Sequence, residues 1–260
     1  MNWLDEKEVL KGKVIVISGG TKGVGRDLAI ACAKAGASVV LGGRDVAAAN
    51  AIMHTIRKNG GEVSFEAVDL LNLESIKGLF DHAIQRFEKV DGFVNYAGIT
   101  TDSTLLDTEV STFDSIMDIN FRAAFFCTKY AIQHMVEQKG GSIVLVNSCH
   151  AGRGEKDRTV YSCSKGALLN LAEHISYHYA NQGIRCNTIT MGWTLTEGEQ
   201  ALREQQGMTV EQLQKIASQR IPMGRMQTSS DYIPGFLYLL SDLSAMVTGS
   251  NIRISGGLYI

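Results

Sequence analysis

The sequence predicts an α/β fold: a doubly wound, seven-stranded parallel sheet flanked by helices, in a single domain spanning residues 1–260. Three observations carry that expectation. Short apolar, β-rich runs alternate with longer stretches of helical periodicity, the pattern of strands buried on both faces and joined by helical crossovers. The chain holds 27 Gly and only 2 Pro in 260 residues, against usual shares of about 7% and 5%, so its backbone turns tightly and often. Hydrophobic residues make up 45% and charged residues 20%, enough apolar surface for one large core and too little polar bias for disorder or low-complexity repeats.

Strands are expected at 13–18, 38–41, 62–68, 92–95, 142–147, 184–190 and 251–254. The first runs into Ser18-Gly19-Gly20-Thr21-Lys22-Gly23-Val24-Gly25, after which Leu28, Ala29, Ala31, Cys32 and Ala35 recur at helical spacing. A strand, a glycine-rich turn and a helix in that order form a dinucleotide site. Gly19, Thr21, Gly23, Val24 and Gly25 let the backbone approach a pyrophosphate, and the helix N-terminus attracts the anion. The second strand ends at Leu41-Gly42-Gly43-Arg44, where a carboxylate would hold the ribose 2′-hydroxyl of NAD. None stands at Gly43. Arg44, with Lys22 in the glycine loop, can pair with a 2′-phosphate, so NADP(H) is expected over NAD(H), with Asp45 a competing partner for Arg44.

The third strand ends at Asp69 and Leu70, where a carboxylate either accepts from an adenine amino group or caps a helix. The fourth ends at Asn95-Tyr96-Ala97-Gly98, small enough for close approach of a ribose. A long helical stretch at 112–138 carries Asn120 on the stripe of Phe113, Met117, Ala124, Cys127 and Ala131. A buried amide there needs partners: either an interhelix hydrogen bond or a water that links Lys165 to solvent. The fifth strand ends at Ser148, placed to hydrogen-bond a substrate carbonyl oxygen. Tyr161-Ser162-Cys163-Ser164-Lys165 opens a helix with the phenol and ammonium on one face. Lys165 is expected to lower the Tyr161 pKa and fit it for general acid–base work. Beyond the sixth strand, residues 192–220 form a polar insertion, either a lid or a plain surface helix pair.

Twenty-five basic against 27 acidic residues give a net charge of −2, which offers no electrostatic footprint for nucleic acid or an anionic membrane and favours a small-molecule partner. Five cysteines, Cys32, Cys127, Cys149, Cys163 and Cys186, contain no CxxC pair and fit reduced thiols better than a disulfide framework or zinc ribbon. Residues 1–6 lack a basic and apolar leader, and no run reaches 18 uncharged apolar residues, so a cytoplasmic, untargeted protein is expected.

Taken together, SGGTKGVG, NYAG, Asn120, Ser148 and YSCSK resemble the short-chain dehydrogenase/reductase family, in its 3-oxoacyl-reductase-like branch of about 250 residues. The resemblance extends to Ile221-Pro222-Met223-Gly224-Arg225 and Val247-Thr248-Gly249-Ser250 and covers essentially the whole chain. It implies a Rossmann fold, a nicotinamide cofactor, catalytic roles for Asn120, Ser148, Tyr161 and Lys165, and a homotetramer. It further implies that Thr194 and Thr196 hold the cofactor's carboxamide and phosphates. Met191 stands where the family places proline, which puts the rigidity of the loop entrance and the shape of the pocket in doubt.

His150 and Trp193 are candidate substrate contacts with Ser148 and Tyr161, and the charged loop Arg153-Gly154-Glu155-Lys156-Asp157-Arg158 favours a hydroxylated or anionic substrate if part of it turns inward. His174 and His178 share a helix face but have no third metal-ligating neighbour, which favours interface or core packing. Cys149 and Cys163 are expected to be buried and inert. The expected activity is NADP(H)-dependent reduction of a ketone, reversible as a secondary-alcohol dehydrogenase. The alternatives are an NAD-dependent sugar, polyol or hydroxy-acid dehydrogenase and a non-catalytic nucleotide-binding sensor or scaffold.

Overall fold

A computed structural model describes residues 8–259 of the chain. Residues 1–6, whose composition bears on a leader, and Ile260 lie outside that range. Seven parallel strands form one sheet in the order β3-β2-β1-β4-β5-β6-β7. They are β1 (Val14–Ser18), β2 (Ser38–Gly43), β3 (Val63–Ala67), β4 (Gly92–Asn95), β5 (Gly141–Ser148), β6 (Ile184–Met191) and β7 (Asn251–Ile254). The strand order reverses between β1 and β4, and that switch point opens a crevice at the carboxyl edge of the sheet. Ser18, Asn95, Ser148 and Met191 all end their strands there.

The helices are α1 (Gly23–Lys34), α2 (Val46–Lys58), α3 (Leu73–Phe87), α4 (Val110–Met117), α5 (Ala123–Glu137), α6 (Thr159–Tyr179), α7 (Glu197–Gln205), α8 (Val210–Arg220) and α9 (Ser229–Leu240). Alternate strand side chains separate two cores. Ile15 and Ile17 of β1 face Leu28 and Cys32 of α1 and Tyr232 and Phe236 of α9. Val14 and Val16 face the opposite layer, with Phe80 of α3, Ala124 and Cys127 of α5 and Leu168 of α6. A third, smaller cluster joins Leu213 and Ala217 of α8 to Ile221, Met226 and Leu258. Much of the polar insertion is thereby folded as two helices, one of them with its own apolar contact. Among the described residues no helix is long and apolar enough to cross a membrane.

The helix expected at 112–138 is interrupted. Between α4 and α5, Asp118–Arg122 forms a turn of π-helix that carries Asn120. One extra residue in the turn shifts the buried stripe. Phe113, expected in the core, is exposed, and Ile116 takes its place in α4 while Ala124, Cys127 and Ala131 keep theirs in α5.

Candidate active site

The turn from β1 into α1 is built from backbone. Gly19 has φ +78°, and a Cβ on it would lie 2.8 Å from the Ala97 Cα and N atoms. A Cβ on Gly25 would lie 2.5 Å from the Gly19 carbonyl oxygen. Gly23 and Val24 open α1, and Lys22 before them offers no side-chain cap, so the N–H groups of the first turn are left without one. The methyl of Thr196 lies 3.6 Å from the Cβ position of Gly23, which brings the insertion over the glycine loop. Asn95 accepts from the Ser18 hydroxyl at 3.1 Å, and its buried Nδ2 has no partner.

The residues that bear on a 2′-phosphate divide differently from expectation. Arg44 is exposed at the end of β2, and Thr21 packs against Gly43. Asp45 does not pair with Arg44: its carboxylate accepts from Ala48 N–H and lies 3.0 Å from Lys22 Nζ. The Ala48 N–H and Lys22 hold the Asp45 carboxyl below its ordinary pKa. Asp69 is exposed and accepts from Leu71 N–H beside half-buried Leu70, while Asn72 caps α3.

Ser148, Tyr161 and Lys165 line one cavity of about 750 Å³ at the carboxyl edge, with Gly98, Thr194 and Thr196 also in its wall. Lys165 is only 4% exposed and donates to the Val146 carbonyl at 3.0 Å, leaving ammonium donors for a ligand. Burial pulls its pKa down to about 8. Burial pushes the Tyr161 phenol above its ordinary value, only partly offset by the Ser148 hydroxyl beside it. Lowering of Tyr161 by Lys165 was expected. The ammonium instead lies 5.9 Å from the centre of the phenol ring, and burial of the phenol outweighs it.

Asn120 is fully buried. Its amide donates to the Ile99 carbonyl at 2.9 Å and the Ser164 hydroxyl at 3.1 Å and accepts from Ile99 N–H at 2.8 Å. Both amide hydrogens are therefore spent on structure. Its Oδ1 and Lys165 Nζ flank the same point above Gly98, 3.3 and 3.4 Å from that residue's Cβ position. Sequence reasoning missed Asn147, which donates to the Lys165 carbonyl at 3.1 Å and so steadies the helix turn bearing the lysine.

The remaining wall is polar. His150 packs edge-on against Tyr161, with ring centres 6.0 Å apart, and Glu155 and Arg158 of the charged loop turn inward to line the cavity. Trp193 also lines it and donates to Glu199 at 2.7 Å beneath the Arg203 guanidinium, so it is both wall and lid packing. Thr194 shares a 2.7 Å hydrogen bond with Tyr232, and Thr196 accepts from Glu199 N–H. Met191, in place of proline, pairs in the ladder with Ser148 and Ile254, which fixes the loop entrance through strand hydrogen bonds. Leu258 and Tyr259 line the cavity of their own chain, a contribution that sequence pattern gave no means to place.

Two further expectations change. His174 and His178 stack on each other at 6.1 Å on the surface of α6 rather than in the core. Cys163 is exposed and Cys149 half-buried, the latter pushed up to about 11 by burial.

A family model described as Enoyl-(Acyl carrier protein) reductase matches residues 19–259. The 3-oxoacyl-[acyl-carrier-protein] reductase of Thermotoga maritima is 29% identical over 251 residues, 96% of this chain and 99% of the relative. The L-rhamnose 1-dehydrogenase (NAD(P)(+)) of Azotobacter vinelandii is 31% identical over 257 residues, 97% of this chain and 98% of the relative. The crystal structure of a short-chain type dehydrogenase/reductase from Mycobacterium marinum superposes with a TM-score of 0.89 at 29% identity, covering 98% of both chains.

Proposed function

The chain belongs to the short-chain dehydrogenase/reductase family and is an oxidoreductase acting on CH–OH groups, and on that premise we propose that it reduces a ketone to a secondary alcohol with NADP(H). The observation that carries this reading is the meeting of Ser148, Tyr161 and Lys165 in one cavity beside the glycine loop. The residues fit a dinucleotide. The Gly19 and Gly25 contacts leave bare backbone, the Asn95 amide is unpartnered, and Lys165 has ammonium donors to spare for ribose hydroxyls.

A bound nicotinamide supplies the hydride, or accepts it in the reverse direction. The Ser148 hydroxyl donates to the substrate oxygen and stabilises the charge that gathers there. Tyr161, held protonated by its raised pKa, gives its proton to that oxygen, and Lys165 orients the ribose and stands next in line for proton replacement. Asn120 fixes the Ile99 backbone and the Ser164 turn around them. Arg44, which pairs with no carboxylate among the described residues, reads the 2′-phosphate, and Lys22, held only by an exposed ion pair with Asp45, is the second cation for it. Asp69, Leu70, Ala97 and Gly98 would hold the adenosine and ribose, and Thr194 and Thr196 the nicotinamide end. The four-residue step from Tyr161 to Lys165 supports carbonyl over enoyl reduction, because related enoyl reductases are expected to space the pair more widely.

Steady-state rates with NADPH and NADH over ketones, keto acids, sugars and acyl thioesters test the reading. Carbonyl-dependent oxidation of NADPH is expected; cofactor binding with no turnover on any of them would return the chain to a nucleotide sensor. A second reading, an NAD(P)-dependent sugar or polyol dehydrogenase, is supported by the polar wall around His150 and by the rhamnose dehydrogenase relative. A cytoplasmic homotetramer completes the proposal. Val110, Phe113 and Phe125 leave apolar surface along α4 and α5, and light scattering at four chain masses is the expected result.

A further inference from the structure

Beside Tyr161 the cavity holds a group of polar side chains that hydride transfer does not require. Glu155 Oε2 lies 3.3 Å from His150 Nδ1, yet the two are not aligned for a hydrogen bond, and that buried nitrogen has no partner. Tyr259 closes the other side of the imidazole at 5.8 Å between ring centres, with its phenol toward Glu155, and the Arg153 guanidinium sits 4.5 Å over the Tyr259 ring. The Glu155 and His150 side chains are only 22% and 18% exposed. The pair is therefore packed in place against the reacting phenol.

A half-buried carboxylate with poorly aligned partners selects what can enter. An acyl chain laid against Glu155 would strip water from its oxygens and return no hydrogen bond, which disfavours it. A carboxylate or phosphate substrate would meet like charge. Arg158 is engaged by Asp102 Oδ1 at 3.2 Å and by the Thr100 hydroxyl at 3.2 Å, and Arg203 by Glu199 at 2.8 Å; Arg220, exposed in the cavity wall, is the cation left over. A neutral hydroxylated molecule satisfies the two groups beside Tyr161: hydroxyls donate to the Glu155 carboxylate, and the His150 imidazole, kept neutral by burial, both donates and accepts. The hydroxyl's position follows from the ring packing. The imidazole lies edge-on to Tyr161 at 6.0 Å between ring centres, so it stands beside the phenol that serves the reacting oxygen.

We propose that the substrate is a neutral polyol, aldose or α-hydroxy ketone, and that Glu155 and His150 bind the hydroxyl on the carbon next to the reacting carbon. This specificity rests on the oxidoreductase reading of the same cavity. Glu155 is a specificity residue and takes no part in hydride or proton transfer.

The test compares 2-hydroxycyclohexanone with cyclohexanone, which differ only in the vicinal hydroxyl, using wild type, Glu155→Gln, Glu155→Leu and His150→Gln with both nicotinamides. In wild type the hydroxylated ketone is expected to have a kcat/KM about 10²-fold higher, the scale of a hydrogen bond to a charged group. Glu155→Gln is expected to cut that preference about tenfold, mainly through KM, and Glu155→Leu to abolish it. Equal kcat/KM for the two ketones in wild type overturns the proposal, as does an equal loss on both substrates in every folded variant, with folding checked by thermal melting. If wild type reduces neither ketone and oxidises neither alcohol while it does reduce an acyl thioester, the specificity falls and the oxidoreductase reading stands. If no carbonyl or alcohol turns over at all, both fall.

Discussion

The glycine loop and the polar wall border the same crevice and are made in opposite ways. At Gly19 and Gly25 the loop packs backbone on backbone, and an added methyl would land 2.8 and 2.5 Å from main-chain atoms. Across the cavity, His150, Glu155, Trp193 and Tyr259 present long side chains to the same space, and Gly152 and Gly154 between them have nothing within 4 Å of a Cβ. A surface of backbone tolerates almost no change, because nothing behind it can move away. A surface of side chains is set residue by residue and is open to substitution. The invariant chemistry of a shared cofactor suits the first construction, and a substrate particular to this chain suits the second.

Removing the hydroxyl that gives the proton should have the largest effect. Tyr161→Phe is expected to lower kcat/KM for every accepted carbonyl by about 10³-fold with NADPH affinity nearly kept, measured by steady-state rates and fluorescence titration. Near-normal turnover would remove Tyr161 from the mechanism. The contrast between the two surfaces is sharpened by an alanine on each. Gly25→Ala drives a methyl into the Gly19 carbonyl and the Tyr96 ring and is expected to cost about 1–3 kcal/mol of stability together with most cofactor affinity. Gly154→Ala meets nothing and should stay within about 0.5 kcal/mol, both read by urea unfolding. Similar costs at the two sites would erase the distinction.

At the edge of the cofactor surface, Arg44→Ala is expected to reduce the ratio of kcat/KM for NADPH over NADH by about tenfold, since one charge-assisted contact is lost. An unchanged ratio would leave the 2′-phosphate to other groups. The smallest effect concerns Lys165. Its folded pKa, about 8, lies below the ordinary lysine value of 10.5, so between those values the folded chain binds fewer protons than the unfolded one. Stability should therefore gain from this group as pH rises through that window. Wild type is expected to gain more than Lys165→Met between about pH 7.5 and about pH 9.5 in urea unfolding; equal gains would mean that the ammonium is not buried as described.

The seven strands could be read because each is a short apolar run ended by a glycine, a polar residue or a helix cap, and the observed ends differ from those expected by a residue or two. Ser148, Tyr161 and Lys165 were readable because strand ends and helical spacing fix where they point. The π-turn at Asp118–Arg122 was not, since a helical pattern carries no mark of one inserted residue, and Phe113 was placed in the core in consequence. Pairings of long side chains were equally hidden. Asp45 has cationic neighbours in Lys22 and Arg44, and only the turn geometry selects Lys22.

By itself the sequence determined the alternation of strands and helices, the glycine-rich turn after the first strand, and the strand-end and helix-face positions of Ser148, Tyr161 and Lys165, because these depend on local periodicity. The tertiary structure alone decided what surrounds them: Glu155 and Tyr259 beside His150, Asn147 under Lys165, and a phenol raised rather than lowered in pKa. Those outcomes depend on burial and on contacts between residues as far apart as 150 and 259, and distance along the chain carries no record of either.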